Sequence, residues 1–197
     1  MPRTGLTPQQ ISDAAIELAT KRIKRDGFKK VRLIDIARDL DISHAALYAH
    51  FTNKDDLLDS VTAKWIAEID VALQKICDEN ADPIDAIYKW FLCLYQRKHS
   101  RVVGEPELFE GFDVAASNKK PFIKKHLNSM HSQMSILVGR AMENKQFKLQ
   151  SADLVAGLLI EATCGFHHPN IVADHSGEER IPKLNALLDV MITGLKY

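Results

Sequence analysis

Residues 31–51 constrain the fold of this chain more than any other part of its sequence. They form two short amphipathic stretches, at about 33–40 and 43–50, with only Asp41 and Ile42 between them. Asp accepts the left-handed backbone conformation that a tight turn between helices requires, although less readily than Gly. One apolar face would hold the two stretches together, formed by Ile36, Ala37, Leu40, Ile42, Leu47 and Phe51. The segment therefore predicts a helix-turn-helix.

The second helix of this pair would present a surface suited to reading DNA. Side chains at its start are small, which lets the backbone enter a major groove that is only about 12 Å wide. The first residues of such a helix contact base edges in other helix-turn-helix proteins. Its exposed face is expected to carry Ser43, His44, Ala45, Ala46, Tyr48 and His50.

The remainder of the chain also has helical periodicity, without strand alternation or an internal repeat. Thr7 and Pro8 predict the start of a first helix, and Gly27 predicts its end. Asn53 is expected to cap a long fourth helix. The pattern as a whole predicts an all-α fold.

The helices of the second half are predicted from their apolar spacing. A helix after Pro121 would carry a seam with spacings of four and three, formed by Ile123, Leu127, Met130, Met134, Leu137 and Ala141. Ser151 would cap an apolar helix that continues to just before Pro169. Residues 169–180 are polar and are expected to form a loop before the last helix.

The composition is that of an ordinary globular protein, with 46% hydrophobic and 26% charged residues over 197 positions. The longest apolar run, residues 154–160, is far shorter than the about 20 residues of a membrane span. Three widely spaced cysteines show no metal-ligand pattern and suggest reduced thiols. With no signal peptide at the start, we expect a cytoplasmic protein without a membrane, metal or cofactor.

Charge is unevenly distributed along a chain whose formal net charge is zero. Residues 1–32 contain eight basic and three acidic side chains, a net charge of +5, which the rest of the chain balances. A basic end on a neutral body is typical of proteins that bind phosphates. It is equally compatible with an exposed helix face in water.

Several motifs together resemble the TetR family of regulators. They are Gly-Phe at 27–28, Asp-Ile-Ala at 35–37, Leu-Tyr-Ala-His-Phe at 47–51, and Lys54 at the start of the next helix. The resemblance covers about residues 7–58 and is specific, whereas the remaining two-thirds resembles the family only in length and helicity. It implies a DNA-binding domain over 1–52 and a larger helical effector-binding and dimerisation domain over 53–197.

The resemblance also implies a role for individual residues. His44, Ala45 and Ala46 stand where the family contacts bases, and Tyr48 and His50 where it contacts phosphates or sugars. Ser43 belongs to the same surface.

Two further phosphate contacts follow from the resemblance. Lys54 would meet a phosphate together with its helix N-terminus. Arg32 replaces a more usual Thr or Ser and would grip a phosphate or a guanine.

The sequence departs from the family pattern at three places. Asp41 replaces the usual turn glycine and is expected to strain the turn slightly. Val31 replaces a common Thr, which removes one phosphate contact. The first helix is about one turn longer, and its basic run at 20–25 either reaches more DNA backbone or is a solvated extension; we favour the second interpretation.

The body of the chain is expected to enclose an effector and to form a dimer. Candidate pocket residues are Trp65, Trp90, Phe91, Tyr95, Met130, Met134 and His167, although all are first of all core residues. Candidate residues of the dimer interface are Ala156, Gly157, Leu184, Leu187, Leu188 and Met191. Cys164 and His168 share a helix face, but an ordinary buried histidine site is favoured over a metal site there.

We therefore expect a sequence-specific DNA-binding regulator with three partners: an operator duplex, an unknown small-molecule effector and a second copy of the chain. A repressor released from a palindromic operator is the favoured form. The alternatives are a ligand-independent architectural protein, an activator, and a helical enzyme with an accidental motif. No catalytic motif is present, so the sequence favours a protein that is not an enzyme.

Overall fold

A computed structural model describes residues 5–175, 177 and 179–197, so Arg3 of the basic start lies outside the described residues. The described chain is helical and contains no strand, which confirms the expected all-α class. The helices are α1 Pro8–Asp26, α2 Leu33–Asp39, α3 His44–Tyr48, α4 Lys54–Asp78, α5 Pro83–Gly104, α6 Pro106–Ser117, α7 Pro121–Glu143, α8 Ala152–Ala162, α9 Cys164–His167, α10 Pro169–Asp174 and α11 Arg180–Leu195, with a 3-10 turn at Phe28–Lys30 after α1. No helix among these residues has the length and hydropathy needed to cross a bilayer.

The ends of α1 form as the sequence predicts. Oγ1 of Thr7 accepts a hydrogen bond from the backbone N–H of Gln10 at 3.2 Å, and the Gln10 side chain accepts one from the Thr7 N–H at 2.8 Å. This reciprocal pair satisfies donors that a helix start otherwise leaves free. Gly27 ends the helix with a φ of 90°, a conformation that side chains rarely adopt. Both expected boundaries are confirmed.

The chain folds into two compact units that interleave along the sequence. The first contains the described residues up to 65 together with 105–120, and the second contains 66–104 and 121–197. Helix α4 contributes to both units, and α6 belongs to the first although its sequence neighbours α5 and α7 belong to the second. The boundary expected after residue 52 therefore does not coincide with this division.

Helix α6 is held in the first unit by a close packing contact. A Cβ atom at Gly111 would lie 2.7 Å from Cε2 of Phe28 and 3.0 Å from Oγ1 of Thr62. Only a glycine lets the Phe28 ring lie against the α6 backbone at this distance. An ion pair between Lys120 and Asp59 at 2.6 Å adds a polar contact between the end of this segment and α4.

The buried face of α7 differs from the predicted seam at one position. Leu127 is 53% exposed, while its neighbour His126 is buried. The other five seam residues are buried as expected. Residues 126, 130, 133, 134 and 137 follow the 3.6-residue period of a straight helix, and Leu127 falls outside that stripe. The expectation for Leu127 is therefore wrong, because the period of 3.5 does not apply.

The region after α8 also differs from the sequence prediction. The expected continuous helix is interrupted at Thr163, whose hydroxyl donates to the backbone oxygen of Leu159 at 2.7 Å. The expected loop contains α10, which buries Val172. Residues 176 and 178 of that stretch lie outside the described residues. The polar residues around it conceal this short helix in the sequence, and Val172 is the residue that it buries.

Three residues of the expected dimer interface lie inside the protomer. Ala156, Leu184 and Leu188 are each at most 1% exposed, so a second chain cannot reach them, and this part of the prediction is wrong. Helices α8 and α11 are apolar on more than one side, and the sequence does not show which side faces inward. The large apolar side chains that are exposed on these helices include Leu154, Leu158 and Val190.

We predict that Gly111→Ala destabilises the protein while Gly139→Ala stabilises it. The added methyl at 111 forces Phe28 from its position, and overpacking of this kind costs about 1–3 kcal/mol. At 139 on α7 a Cβ meets nothing within 4 Å, so the substitution adds up to about 1 kcal/mol of helix propensity. Urea unfolding followed by circular dichroism measures both variants, and a Gly111→Ala midpoint equal to that of Gly139→Ala contradicts this packing account.

Candidate nucleic-acid interface

The turn between α2 and α3 is built around Asp41. Its φ of 54° lies in the left-handed region, as the sequence predicts. The backbone N–H of Ile42 donates to the oxygen of Ala37 at 3.1 Å, and that of Asp41 donates to the oxygen of Arg38 at 3.1 Å. These two bonds form the capping arrangement that usually contains a glycine. Asp41 therefore performs the role of the missing glycine with a side chain in place.

Helix α3 is short and is fixed by one cap and one buried side chain. Oγ of Ser43 accepts a hydrogen bond from the N–H of Ala46 at 3.1 Å. Leu47 is completely buried and belongs to the same apolar cluster as Ile36 and Phe51. The burial of Leu47 determines the rotation of α3 about its axis, so the opposite face is directed to solvent.

The solvent face of α3 carries the residues that the sequence assigned to DNA. Ser43, His44, Ala45 and Tyr48 are exposed, while Ala46 and His50 are half-buried. The rings of His44 and Tyr48 meet edge-on, with centroids 4.5 Å apart. The described structure thus brings these six residues together on one short helix and the turn that follows it. Their contacts with DNA stay a prediction.

Lys54 lies beside this face at the start of α4 and is half-buried. Its Nζ donates to the backbone oxygen of Lys29 at 2.6 Å, which ties α4 to the 3-10 turn. An ammonium group has three donors, so this bond leaves capacity for a phosphate oxygen. The position is consistent with the phosphate contact expected from the sequence.

Arg32 is attached to a buried carboxylate at the start of α2. Asp35 accepts from Nε of Arg32 at 2.8 Å and from Nη2 of Arg38 at 2.7 Å. The hydrogen bond from Arg32, with the charges of both arginines, holds the pKa of Asp35 below its ordinary value. The Arg32 side chain remains largely exposed and is oriented before any contact with DNA.

The basic run near the end of α1 is engaged in ion pairs within the first unit. Lys21 pairs with Glu17, and Arg25 with Asp26, both across exposed surface. Lys24 pairs with a carboxylate at the start of the α6 segment. Such surface pairs contribute little to stability, but they compensate the charge of the run.

Two lysines that sequence reasoning did not single out lie close to the expected interface. Lys29 and Lys30 line an open groove of about 430 Å³ in the first unit. The groove is completed by Arg22, Asp26, Arg32 and Asp35. The net charge of +5 over residues 1–32 is the sequence signal for these lysines, but it does not identify them individually.

The candidate pocket residues are distributed over both units. Trp65 is half-buried in the first unit, where its ring meets Phe112 edge-on with centroids 5.5 Å apart. The other six are buried in the second unit: Trp90, Phe91, Tyr95, Met130, Met134 and His167. Nε1 of Trp90 donates to the side-chain oxygen of Gln133 at 3.1 Å. An effector contact by these residues stays a prediction.

Of the histidines after α8, His167 is buried, while His168 and His175 are exposed. A ring nitrogen of His167, Nε2, lies 3.0 Å from the backbone oxygen of Ile160. Within the described ranges, no group of three His, Cys, Asp or Glu residues is arranged to hold a metal ion.

Family models match both parts of the chain. The model described as "Bacterial regulatory proteins, tetR family" matches residues 11–61, which include the helix-turn-helix. The model described as "Tetracyclin repressor-like, C-terminal domain" matches residues 83–188, more than half of the chain. The chain belongs to the TetR family. The resemblance seen in the first 58 residues is therefore confirmed, and it extends into the part of the chain where the sequence showed only helicity.

Individual TetR-family proteins are similar to this one over different lengths. A nicotine-responsive transcriptional repressor, HdnoR of Paenarthrobacter nicotinovorans, is 34% identical over 38% of this chain and 36% of its own. The transcriptional repressor KstR2 of Mycolicibacterium smegmatis is 25% identical over 52% of this chain and 51% of its own. The chain thus matches about half or less of the length of these curated relatives.

A solved structure extends the similarity to nearly the whole fold. Thermus thermophilus FadR, a TetR-family repressor solved with lauroyl-CoA, has a TM-score of 0.66. It is 13% identical, over 94% of this chain and 95% of that chain. At this identity the similarity shows the fold alone.

We predict that Lys54→Ala and a substitution at Ala45 affect DNA binding differently. Loss of a phosphate contact weakens binding to all duplexes alike and reduces the slope of log affinity against log salt by about 1. Ala45→Asn instead changes the preference between sequences, because this exposed position is the one we expect to face base edges. Lys64→Ala, an exposed lysine on the same helix, is the matched control and leaves affinity unchanged.

Fluorescence anisotropy over a salt series, with a set of duplexes that differ at single base pairs, measures these effects. Equal losses on every duplex from both Lys54→Ala and Ala45→Asn contradict the assigned roles.

Proposed function

We propose that this TetR-family protein is a transcriptional repressor that binds a palindromic operator as a homodimer and is released by a small-molecule effector. The observation that carries the proposal is the arrangement of α3. Leu47 is buried on one side, and His44, Ala45 and Tyr48 are exposed on the other. A short helix that presents small and hydrogen-bonding side chains at its start is suited to the major groove.

A dimer is expected because the α3 helix of one chain presents only a small surface to DNA. A single α3 offers few base contacts, and a two-fold dimer doubles them at half-sites about 34–36 Å apart, or a multiple of this. Surface residues of α8 and α11 supply apolar area for such an interface: Leu154, Gly157, Leu158, Leu187, Val190 and Met191. Isologous pairing of the same surface on two copies closes the assembly at two.

Control by an effector is supported by the types of side chain that form the core of the second unit. Its core combines flat aromatic side chains with adaptable methionines, which suit an amphipathic ligand. One relative is a nicotine-responsive repressor, and one protein of similar fold was solved with lauroyl-CoA. The distance between the two α3 helices of the dimer must fit the operator. An effector that binds more tightly when this distance is different shifts the population away from the DNA-binding form.

We predict that the protein binds DNA from upstream of its own gene about 10³-fold more tightly than a scrambled duplex at the same salt. Tyr48→Ala removes most of this affinity, because its ring lies on the α3 surface. Tyr197→Ala, a change of the same residue type at an exposed position of the second unit, leaves affinity unchanged. Anisotropy titrations of wild type and both variants measure these differences.

Three other outcomes contradict parts of the proposal. Tight binding with no sequence preference indicates an architectural protein. Release by no compound of an effector screen indicates ligand-independent binding, and increased transcription from the bound promoter indicates an activator.

A further inference from the structure

Three ionisable side chains from three helices are buried in the second unit. Lys98 of α5, His126 of α7 and His167 of α9 are each less than 9% exposed. Asp70 of α4 lies beside them, since its carboxylate meets His126. Burial of charged and polar groups is unfavourable unless each of them has a partner.

A ring nitrogen of His126 has no hydrogen-bond partner among the residues that the structure describes. Oδ1 of Asp70 lies 2.6 Å from Nδ1 of His126, so the imidazole donates its N–H to the carboxylate at this position. The other ring nitrogen, Nε2, is buried and meets no hydrogen-bond partner within residues 5–175, 177 and 179–197. A neutral imidazole carries one N–H, and therefore this Nε2 is a buried acceptor without a donor. Such unpaired polar atoms are rare in native cores and often have a function.

Lys98 is the cation of this group that can balance a negative charge on a bound oxygen. Burial lowers the pKa of Lys98 to about 8, against the opposing influence of Asp70, so the ammonium form predominates at neutral pH. Burial and the charge of Lys98 lower the pKa of His167 to about 4. Burial also lowers the pKa of His126, while the hydrogen bond to Asp70 opposes the shift. Both imidazoles are neutral, and one cation stands near them.

Apolar side chains share the same helix faces as the polar group. On α5, Phe91, Leu94 and Tyr95 precede Lys98 by seven, four and three positions and are buried with it. On α7, Met130 follows His126 by four positions and is also buried. The unbranched side chain of Met adapts readily to the shape of a ligand. The group is therefore the polar end of an otherwise apolar region.

We propose that His126 and Lys98 recognise an effector that is an apolar molecule with one weakly acidic hydroxyl, a carboxylic acid or a phenol. Its O–H donates to Nε2 of His126. As the proton moves toward this nitrogen, the ligand oxygen becomes negative and the Lys98 ammonium balances its charge. Asp70 stabilises the positive imidazole on the other side. This inference rests on the proposed function, which assigns an effector to this protein.

The test uses compounds that differ only in the acidic hydroxyl. Full-length protein is titrated in a calorimeter with 4-butylbenzoic acid and its methyl ester, and with 4-butylphenol and its methyl ether. We expect the compound with the hydroxyl to bind at least tenfold more tightly than its methylated partner in one of the two pairs. The pair that shows the difference identifies the ligand as a carboxylic acid or a phenol.

Two variants assign this discrimination to the buried group. His126→Asn keeps a donor for Asp70 but removes the Nε2 acceptor, and Lys98→Met removes the cation while retaining a chain of similar length. Each reduces the preference for the hydroxyl to less than threefold. Lys89→Met, an exposed α5 lysine paired with Glu79, is the matched control and retains the tenfold preference.

An independent measurement covers the case in which a variant does not fold. The ¹⁵N resonance of His126 Nε2 in the wild-type protein shifts when the hydroxyl compound binds and stays unchanged with its methylated partner. The proposal is overturned if no compound of the set binds, if the methylated partners bind equally well, if the preference survives in both folded variants, or if the resonance does not move.

Failure of this inference differs from failure of the proposed function. Operator affinity of the wild-type protein without any effector is measured on the same preparation. Tight operator binding that only a non-acidic compound releases overturns the ligand class and leaves the repressor intact. Acid binding without operator affinity overturns the repressor and leaves the ligand site.

Discussion

The proposed DNA-reading surface depends on the burial of Leu47. A helix of five residues such as α3 has no independent stability, because the cost of its first turn is not recovered over so short a length. Leu47 is the one buried residue of this helix, and it enters a cluster that α1, α2 and α4 build around Ile36 and Phe51. The left-handed turn at Asp41 directs the chain back toward that cluster, and the cap at Ser43 begins α3 there. The buried cluster of the first unit therefore fixes which side chains of α3 are exposed.

Charge has a different role in each unit. In the first unit, ion pairs compensate much of the basic charge: Lys21 and Arg25 of α1 pair with acids of the same helix, and Arg32 pairs with Asp35 while staying largely exposed. In the second unit, the polar side chains of Lys98 and His126 are buried among apolar side chains. Ion pairs at a surface contribute little to stability, whereas a buried acceptor without a donor is uncommon in a native core. The two arrangements are consistent with one unit that binds a polyanion and one that recognises a small molecule.

Local signals in the sequence predicted the fold well. The capping pair at Thr7 and Gln10, the glycine at 27 and the left-handed residue at 41 each act within one helical turn, and therefore the sequence shows them directly. Which face of a helix is buried depends on its neighbours, and the sequence is ambiguous where a helix is apolar on several sides. Leu184 and Leu188 were assigned to a dimer surface for this reason and lie in the core.

The candidate site shows the same contrast. Ser43, His44, Ala45 and Tyr48 are exposed as expected, while Ala46 and His50 are half-buried, and the burial of Leu47 orients this face of α3. The group around His126 and Lys98 was not predicted, since residues 70, 98 and 126 are far apart in sequence and meet only after folding.

The central claim is that α3 of two copies reads a symmetric DNA sequence, and selection of bound duplexes from a random-sequence pool tests it most directly. The account predicts enrichment of an inverted repeat whose half-sites are about one helical turn apart, or a multiple of this. Enrichment of no sequence, or of one without two-fold symmetry, would contradict it.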